Sequence, residues 1–168
     1  MVEARKYITM AASRAITMKT LIVYASVHHK NTEKVAKVIA AEMGADLVSI
    51  GEVQPAALTT YDLIGFGSGI YDHHFHQALL HFVETLPTVT EKQAFVFSTC
   101  GVRGTRGHAA FKELLASRGF SVVGDFSCKG WDTNSFFKLF GGINKGRPNE
   151  EDLEEAREFA RGLNDRYT

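Results

Sequence analysis

Short runs of β-branched and aliphatic residues alternate along this chain with segments of helical period, and this alternation limits the possible folds more than any other feature. Each run ends in polar or glycine-rich residues, as strands do where the chain turns. Strands that are separated by helices and apolar throughout are typical of a parallel sheet covered on both faces. We therefore predict a three-layer, doubly wound α/β fold whose five parallel strands are Thr20–Ala25, Asp46–Ile50, Leu63–Ser68, Ala94–Thr99 and Ser121–Phe126.

The intervening segments place apolar residues on one stripe and carry helix-stop signals. Gly44 follows the first as a C-cap, and Pro87 follows the second because a proline cannot continue a helix. The linker 51–61 contains Pro55 and leaves room for little more than a turn. The predicted helices are Lys34–Met43, Gln77–Leu86, His108–Ser117 and Glu150–Leu163. Right-handed crossovers favour the strand order 2-1-3-4-5, which opens a crevice at the carboxyl ends of strands one and three.

Composition and charge limit the class of protein. At 168 residues with 45% hydrophobic content, the chain suits one domain with a substantial core. A net charge of zero provides no basic field for nucleic acid, and no apolar run is long enough to span a membrane. Two cysteines fit a reducing compartment, so we expect a cytoplasmic protein. The basic segment 1–18 lacks a secretory hydrophobic region, and we expect a disordered leader, or an upstream start, ahead of a domain at 19–168.

The turn between the first strand and the first helix has the composition of an anion site. It runs Ser26-Val27-His28-His29-Lys30-Asn31-Thr32. A helix start leaves backbone N–H groups without intrahelical partners and carries about half a positive charge, so it can hold a phosphate without basic side chains. The hydroxyls of Ser26 and Thr32 and the amide of Asn31 can complete a ring of donors. Taken alone, the segment is better explained by Asn31 as an ordinary helix N-cap, but two further loops reverse that balance.

These two loops leave the third and fourth strands at the same predicted edge. The first runs Gly65-Phe66-Gly67-Ser68-Gly69-Ile70-Tyr71-Asp72, in which glycines allow the backbone to approach a ligand closely and Tyr71 can stack on a flat ring. Alternatively, the glycines only permit a tight turn and Tyr71 packs on its own helix. The second runs Thr99-Cys100-Gly101-Val102-Arg103. A phosphate niche beside two such loops predicts a phosphorylated planar cofactor with the shape of flavin mononucleotide (FMN).

On these residues, the chain from about Lys19 to Thr168 resembles the flavodoxin family, in which a hydroxyl-rich loop ending Gly-Asn-Thr holds the FMN phosphate and two later loops enclose the flavin ring. The resemblance implies phosphate contacts from Ser26, Asn31, Thr32 and the backbone between them. It implies ring contacts from the segments 68–72 and 99–103.

The first and second loops also differ from the family pattern. His28 and His29 replace hydroxyl residues, and Lys30 replaces a glycine. In the family, a glycine beside the ring aromatic turns its peptide to meet the one-electron reduced flavin. Here Asp72 follows Tyr71, so a two-electron role for the flavin stays open.

The resemblance implies an FMN-binding redox protein that transfers electrons between protein partners. Two alternatives stay open: a small FMN-dependent reductase acting on a quinone-like acceptor, and a cysteine phosphatase whose Cys-x5-Arg loop joins Cys100 to Arg106. Cys100 and Cys128 end neighbouring predicted strands, so a thiol pair beside the flavin is conceivable.

Two further groups of residues could form sites, the histidines near 73–81 and the long loop after the fifth strand. No metal site is predicted, because exposed positions at a helix start best explain the histidines His73, His74, His76 and His81. The long loop after strand five, with Trp131 and Phe136, is a candidate to cover the flavin, to bind a partner or to pack beneath the last helix.

Overall fold

A computed structural model describes residues 18–27, 29–101, 104, 107–133 and 141–166 of this chain. His28, Arg103, Arg106 and Phe136, which the sequence singles out, lie outside the described residues, as does the segment 1–17. Within the described ranges, no helix combines the length and the apolar character that crossing a membrane requires.

A parallel sheet forms the centre of the fold. Its strands are β1 Thr20–Ala25, β2 Asp46–Ser49, β3 Leu63–Tyr71, β4 His74–Phe75, β5 Lys92–Cys100 and β6 Phe120–Lys129. The order is β2-β1-β3-β5-β6 with all neighbours parallel, and β4 pairs only with β3, antiparallel to it. The predicted doubly wound fold and its strand order are therefore confirmed, with one correction: the sheet has a sixth, two-residue strand.

The helices are α1 Asn31–Met43, α2 Gln77–Thr85, α3 His108–Ser117 and α4 Glu150–Asn164, with a 3-10 turn at Pro55–Thr60. The structure begins α1 at Asn31, three residues before the predicted start at Lys34. α1 and α4 cover one face of the sheet around Ile22, Phe95 and Phe97. α2 and α3 cover the other face around Phe66. Both faces are thus buried, as the apolar strands require.

Two glycines of β3 serve packing between strands and not the approach to a ligand. A Cβ on Gly65 would lie 2.3 Å from Cζ of Phe95, and one on Gly67 would lie 2.1 Å from Cζ of Phe97. The two phenylalanines belong to the adjacent strand β5, opposite the two glycines, and their rings are fully buried. The expectation that these glycines make room for a cofactor is therefore wrong for Gly65 and Gly67.

The histidine-rich segment after β3 forms a β-hairpin, not the first turn of a helix. Tyr71 pairs with His74, and the two residues between them have positive φ, 46° at Asp72 and 66° at His73. Two positive φ values in a two-residue loop are the signature of a type I′ turn. His76 then caps α2, because its Nδ1 accepts a hydrogen bond from the backbone N–H of Ala78. Among the described residues, no group of three or more His, Cys, Asp or Glu could hold a metal ion.

Candidate functional site

A cleft of about 470 Å³ opens at the carboxyl edge of the sheet. Its volume lies in the range of small-molecule sites, about 300–1,000 Å³. It is lined by residues that follow or end four neighbouring strands: Ser26, Val27, Asn31, Thr32, Gly69, Ile70, Tyr71, Thr99, Cys100, Gly101, Gly130, Trp131, Asp132 and Thr133. Since parallel strands end at one edge, loops that are distant in sequence meet here.

The first loop brings the amino end of α1 to the cleft. His29 and Lys30 both have positive φ, 54° and 55°, so the chain turns sharply into the helix without a side-chain cap. The Ser26 hydroxyl accepts a hydrogen bond from the Glu33 backbone N–H at 3.3 Å, which leaves its own hydrogen for a ligand. The first-turn amides of a helix have no intrahelical acceptor and carry the positive end of its dipole. This end of the cleft is therefore suited to an anion.

Asn31 ties the first loop to the segment after β6. Its Nδ2 donates to the backbone carbonyl of Trp131 at 2.8 Å, across 100 residues of sequence. Gly130 permits this approach, because a Cβ there would lie 2.9 Å from Asn31 Nδ2. The other amide atom, Oδ1, is buried and has no hydrogen-bond partner. A buried acceptor without a donor is costly, so a ligand that brings a hydroxyl or N–H group would gain from meeting it.

Thr32 and Thr99 connect the first and third loops. Their hydroxyl oxygens lie 2.9 Å apart, and both side chains are buried. Each threonine also lines the cleft. Because this hydrogen bond uses one hydroxyl hydrogen of the two, the pair can still donate one hydrogen to a bound group.

Tyr71 forms the wall of the cleft at the end of β3. Its ring folds back over Gly69, where a Cβ would lie 2.9 Å from the phenolic oxygen. Burial raises the pKa of Tyr71, and the negative charge of Asp132 on the facing segment raises it further. The phenol therefore stays neutral at physiological pH and presents an apolar ring face with a hydrogen-bond donor at its tip.

The segment 130–133 completes the cleft, and it belongs to the loop that was a candidate to cover the flavin. The His29 ring stacks on Trp131 with centroids 3.9 Å apart, and His29 Nε2 lies 2.9 Å from the Thr133 hydroxyl. A Cβ on Gly101 would lie 2.7 Å from Asp132 Oδ2, so that glycine is needed for the carboxylate to approach. The sequence predicted that the long loop after the fifth predicted strand is a candidate to cover the flavin, with Trp131 and Phe136 named in it, but it did not name Gly130, Asp132 or Thr133 as lining residues.

The remaining predicted site residues have other positions. Ser68 is buried, and its hydroxyl donates to the Gly69 carbonyl and accepts from the His76 N–H, which ties the hairpin to α2. The Lys30 side chain is 77% exposed and pairs with Glu33 at 3.8 Å. Asp72 is exposed in the turn, outside the cleft lining. His29 contacts the cleft segment 130–133 without lining the cleft itself.

The two cysteines lie on opposite faces of the sheet. Cys100 is half-buried at the cleft, and its Sγ lies 3.5 Å from the hydroxyl of Ser127. Cys128 is the next residue after Ser127, and it packs in the core beneath α1 and α4. Successive residues of a strand point to opposite faces, so the thiols are kept apart. The hypothesis of a thiol pair is therefore wrong, and neither cysteine forms a disulfide.

Comparison with known proteins gives three kinds of match. A family model for the flavodoxin domain matches residues 21–142. An uncharacterized protein of Methanocaldococcus jannaschii is 48% identical over 148 residues, which span 87% of this chain and 98% of that protein.

Two solved structures extend the comparison. Oxidised flavodoxin 2 from Bacillus cereus has a TM-score of 0.66 at 22% identity, over 89% of this chain and 99% of the other. The rubredoxin oxygen:oxidoreductase of Desulfovibrio gigas has a TM-score of 0.68 at 17% identity, over 89% of this chain but 36% of the larger protein. At these identities the two structures show a shared fold.

Proposed function

Because this chain belongs to the flavodoxin-domain family, we propose that it binds FMN in the cleft and carries electrons between protein partners. Membership confirms the resemblance first noted in the sequence, and it confirms FMN as the cofactor of the family. The identity of the residues that hold FMN, the partners and the direction of electron flow belong to the proposal. The observation that carries it is the convergence of the α1 amino end with the loops after β3, β5 and β6 on one cleft.

The polar groups and the aromatic wall of the cleft suit each part of FMN: the phosphate, the ribityl chain and the ring. The phosphate would lie at the amino end of α1, where the first-turn amides and the Ser26 hydroxyl are available. The ribityl chain carries hydroxyl groups, and one of them would donate a hydrogen bond to the buried Asn31 Oδ1, which has no other donor. The ring would lie against Tyr71 on one side and the segments 99–101 and 130–133 on the other.

FMN supplies the electron-accepting ring when bound, and the chain supplies placement and electrostatics. The contacts of Asn31 and His29 with Trp131 hold the phosphate end and the ring end of the cleft in one rigid frame. Val27 is the one large hydrophobic side chain that stands exposed in the part of the chain the structure describes, at 57%, and it lines the cleft. An exposed apolar residue beside a redox cofactor suits contact with a partner.

The test of this proposal compares FMN with riboflavin, which has the same ring and no phosphate. Fluorescence titration of the purified protein is expected to show quenching by FMN binding, with riboflavin bound at least about tenfold more weakly because it cannot use the helix start. Equal affinity for the two flavins would contradict the phosphate niche. Failure of both to bind would end the proposal as a whole.

A specific observation favours the second candidate, an FMN-dependent reductase acting on a small quinone-like acceptor. The peptide that follows Tyr71 is part of a type I′ hairpin turn closed by the Tyr71–His74 pair. Turning that peptide over to support a one-electron reduced flavin would break the hairpin, since both central residues must keep positive φ. A cleft that disfavours the one-electron state is better suited to two-electron chemistry.

Stepwise reduction of the FMN-loaded protein distinguishes the two candidates. A carrier accumulates a one-electron form that is visible by absorbance, whereas the reductase passes directly between the oxidised and two-electron forms. Asp72→Gly frees the turn and is expected to increase the one-electron fraction. Glu91→Gly is the matched control, because Glu91 also has a positive φ, 51°, but lies outside the cleft lining.

A further inference from the structure

A row of polar side chains leads from the cleft into the face of the sheet that α3 covers. Cys100 lines the cleft, and its Sγ lies 3.5 Å from Ser127 Oγ. Ser127 Oγ lies 3.3 Å from Ser98 Oγ, which in turn lies 2.7 Å from His108 Nε2. Ser98, Ser127 and His108 are all buried. Buried polar groups are costly unless each is bonded. Here Ser98 donates to Ser127, Ser127 donates to the Gly104 carbonyl at 3.2 Å, and the Cys100 thiol also lies 3.7 Å from the Cys128 carbonyl as a donor.

The inner end of the row is anchored by a charge pair that reaches solvent. His108 Nδ1 lies 3.1 Å from Asp125 Oδ2, and the other carboxylate oxygen lies 2.9 Å from Lys112 Nζ. The side chains of Asp125 and Lys112 are 27% and 36% exposed. The row therefore joins an exposed ion pair on one side to the cleft on the other.

The hydrogen-bond partners fix the proton positions on His108. A carboxylate only accepts, so Nδ1 carries hydrogen towards Asp125 and Nε2 faces the Ser98 hydroxyl. Burial lowers the pKa of His108, the Asp125 carboxylate raises it in part and Lys112 lowers it again. Strand β5 contributes the uncharged Ser98, and the hairpin contributes the ring of Phe75 with its centroid 5.2 Å away. The resting imidazole is neutral, with Nε2 able to accept a proton.

Ser98, His108 and Asp125 have the connectivity of a hydrolase triad but not its accessibility. The Ser98 side chain has no exposed surface and lies within β5, so no substrate carbonyl can reach its oxygen. The accessible end of the row is the thiol of Cys100. The arrangement is therefore suited to moving a proton and not to nucleophilic attack by the serine.

We propose that His108 exchanges one proton with the flavin in the cleft through Ser98, Ser127 and Cys100. The inference rests on the proposed function, because it needs a bound flavin that gains and loses protons with its electrons. It adds a residue outside the cleft lining, His108, to the machinery of the reaction, with Asp125 as its positioning residue.

The transfer balances over one redox cycle. When an acceptor removes the electrons of the reduced flavin, Cys100 takes a proton from it and passes its thiol proton to Ser127. At rest Ser98 donates to Ser127 and Ser127 donates to the Gly104 carbonyl, so both hydroxyls must first rotate. Ser127 then passes its hydroxyl proton to Ser98, and Ser98 passes its own to His108 Nε2. Cys100, Ser127 and Ser98 each gain one proton and lose one, so only His108 changes its protonation state. The Asp125 carboxylate stabilises the imidazolium that forms. When a reductant next supplies electrons, the proton returns through the same groups.

The test uses the FMN-loaded protein reduced with dithionite and mixed rapidly with ferricyanide, an acceptor that takes electrons and no proton. Ser127→Ala interrupts the row and leaves the His108–Asp125 pair in place, and Ser127→Thr keeps the hydroxyl. Reoxidation is expected to slow at least about tenfold in Ser127→Ala and His108→Gln, and to stay near wild type in Ser127→Thr. His81→Gln, at a 79% exposed histidine, is the matched control and should leave the rate unchanged.

Two further readouts separate proton transfer from a structural role. Wild type should show a slower rate in D₂O, and this isotope effect should change in Ser127→Ala. Nitrogen NMR of the protein without FMN should show a neutral His108 with hydrogen on Nδ1, and Ser98→Ala should shift the Nε2 resonance.

The outcomes also separate this inference from the proposed function. FMN affinity is measured first for every variant. Normal FMN binding with equal reoxidation rates in all variants overturns the relay alone and means that water in the cleft takes the proton. Absence of FMN binding in the wild type overturns both.

Discussion

Ser26→Asp tests the anion site with opposite effects on binding and on stability. The Ser26 hydroxyl lies 3.3 Å from the Glu33 backbone N–H, at the amino end of α1. A carboxylate placed there accepts the same amide and occupies the positive end of the helix dipole. An acid at that position should stabilise the free protein by about 0.3–1 kcal/mol.

The same carboxylate should weaken FMN binding by repulsion. Two unit charges about 4 Å apart interact by about 1 kcal/mol in water and about 4 kcal/mol at an effective dielectric constant of about 20. A phosphate ester carries about 1.5 to 2 charges, so even the fully screened case costs about 2 kcal/mol, or about thirtyfold in Kd. The nearby Glu33 does not already impose this cost, because its carboxylate is paired with Lys37 and Lys30.

Fluorescence titration and thermal unfolding provide the two measurements. Ser26→Asp should bind FMN about thirtyfold more weakly and melt at an equal or higher temperature than wild type. Its affinity for riboflavin should be unchanged, and Ser26→Asn, which adds bulk without charge, should retain FMN. An equal loss of affinity for both flavins, or FMN binding as tight as in wild type, would refute the placement of the phosphate at this helix start.

Three other predictions concern the frame that holds the site. Gly67→Ala should destabilise the fold by about 1–3 kcal/mol in urea unfolding, because a Cβ there would lie 2.1 Å from the buried Phe97 ring. Gly162→Ala is the control: a Cβ there would have no atom within 4 Å, so the change should be neutral or stabilising. Asn149→Ala should cost about 1 kcal/mol by removing the capping box of α4; an unchanged unfolding midpoint would contradict this. Since the folded protein lowers the pKa of His108 below its ordinary 6.5, the unfolded chain binds more protons. Stability should therefore fall as the pH drops below about 6.5, with a smaller slope in His108→Gln.

The sequence by itself determined the class of fold and the position of the loop that brings the start of α1 to the cleft. The alternation of apolar strands with helical segments predicted the sheet order, and the predicted range of α3, His108–Ser117, is the observed one. Signals of this kind depend on neighbours a few residues away, such as the period of a stripe or a glycine after a helix. They lie on the printed chain and need no tertiary contact.

Local signals failed where a residue's environment comes from another strand. Gly65 and Gly67 look like ligand-approach glycines in sequence, and only the register of β3 on β5 shows that they make room for phenylalanine rings. The positive φ of Asp72 and His73 belongs to residues other than glycine, so the hairpin carried little sequence signal.

Tertiary structure alone decided which side chains line the cleft and which buried polar side chains lie in a row behind it. The Thr32–Thr99 contact spans 67 residues, the Asn31–Trp131 contact 100 and the His29–Thr133 contact 104. The sequence shows serines in two apolar strands, but only their register places Ser98 beside Ser127 and within reach of His108. Strand register and sheet packing set these distances, and both result from burial of the whole core and not from any local propensity.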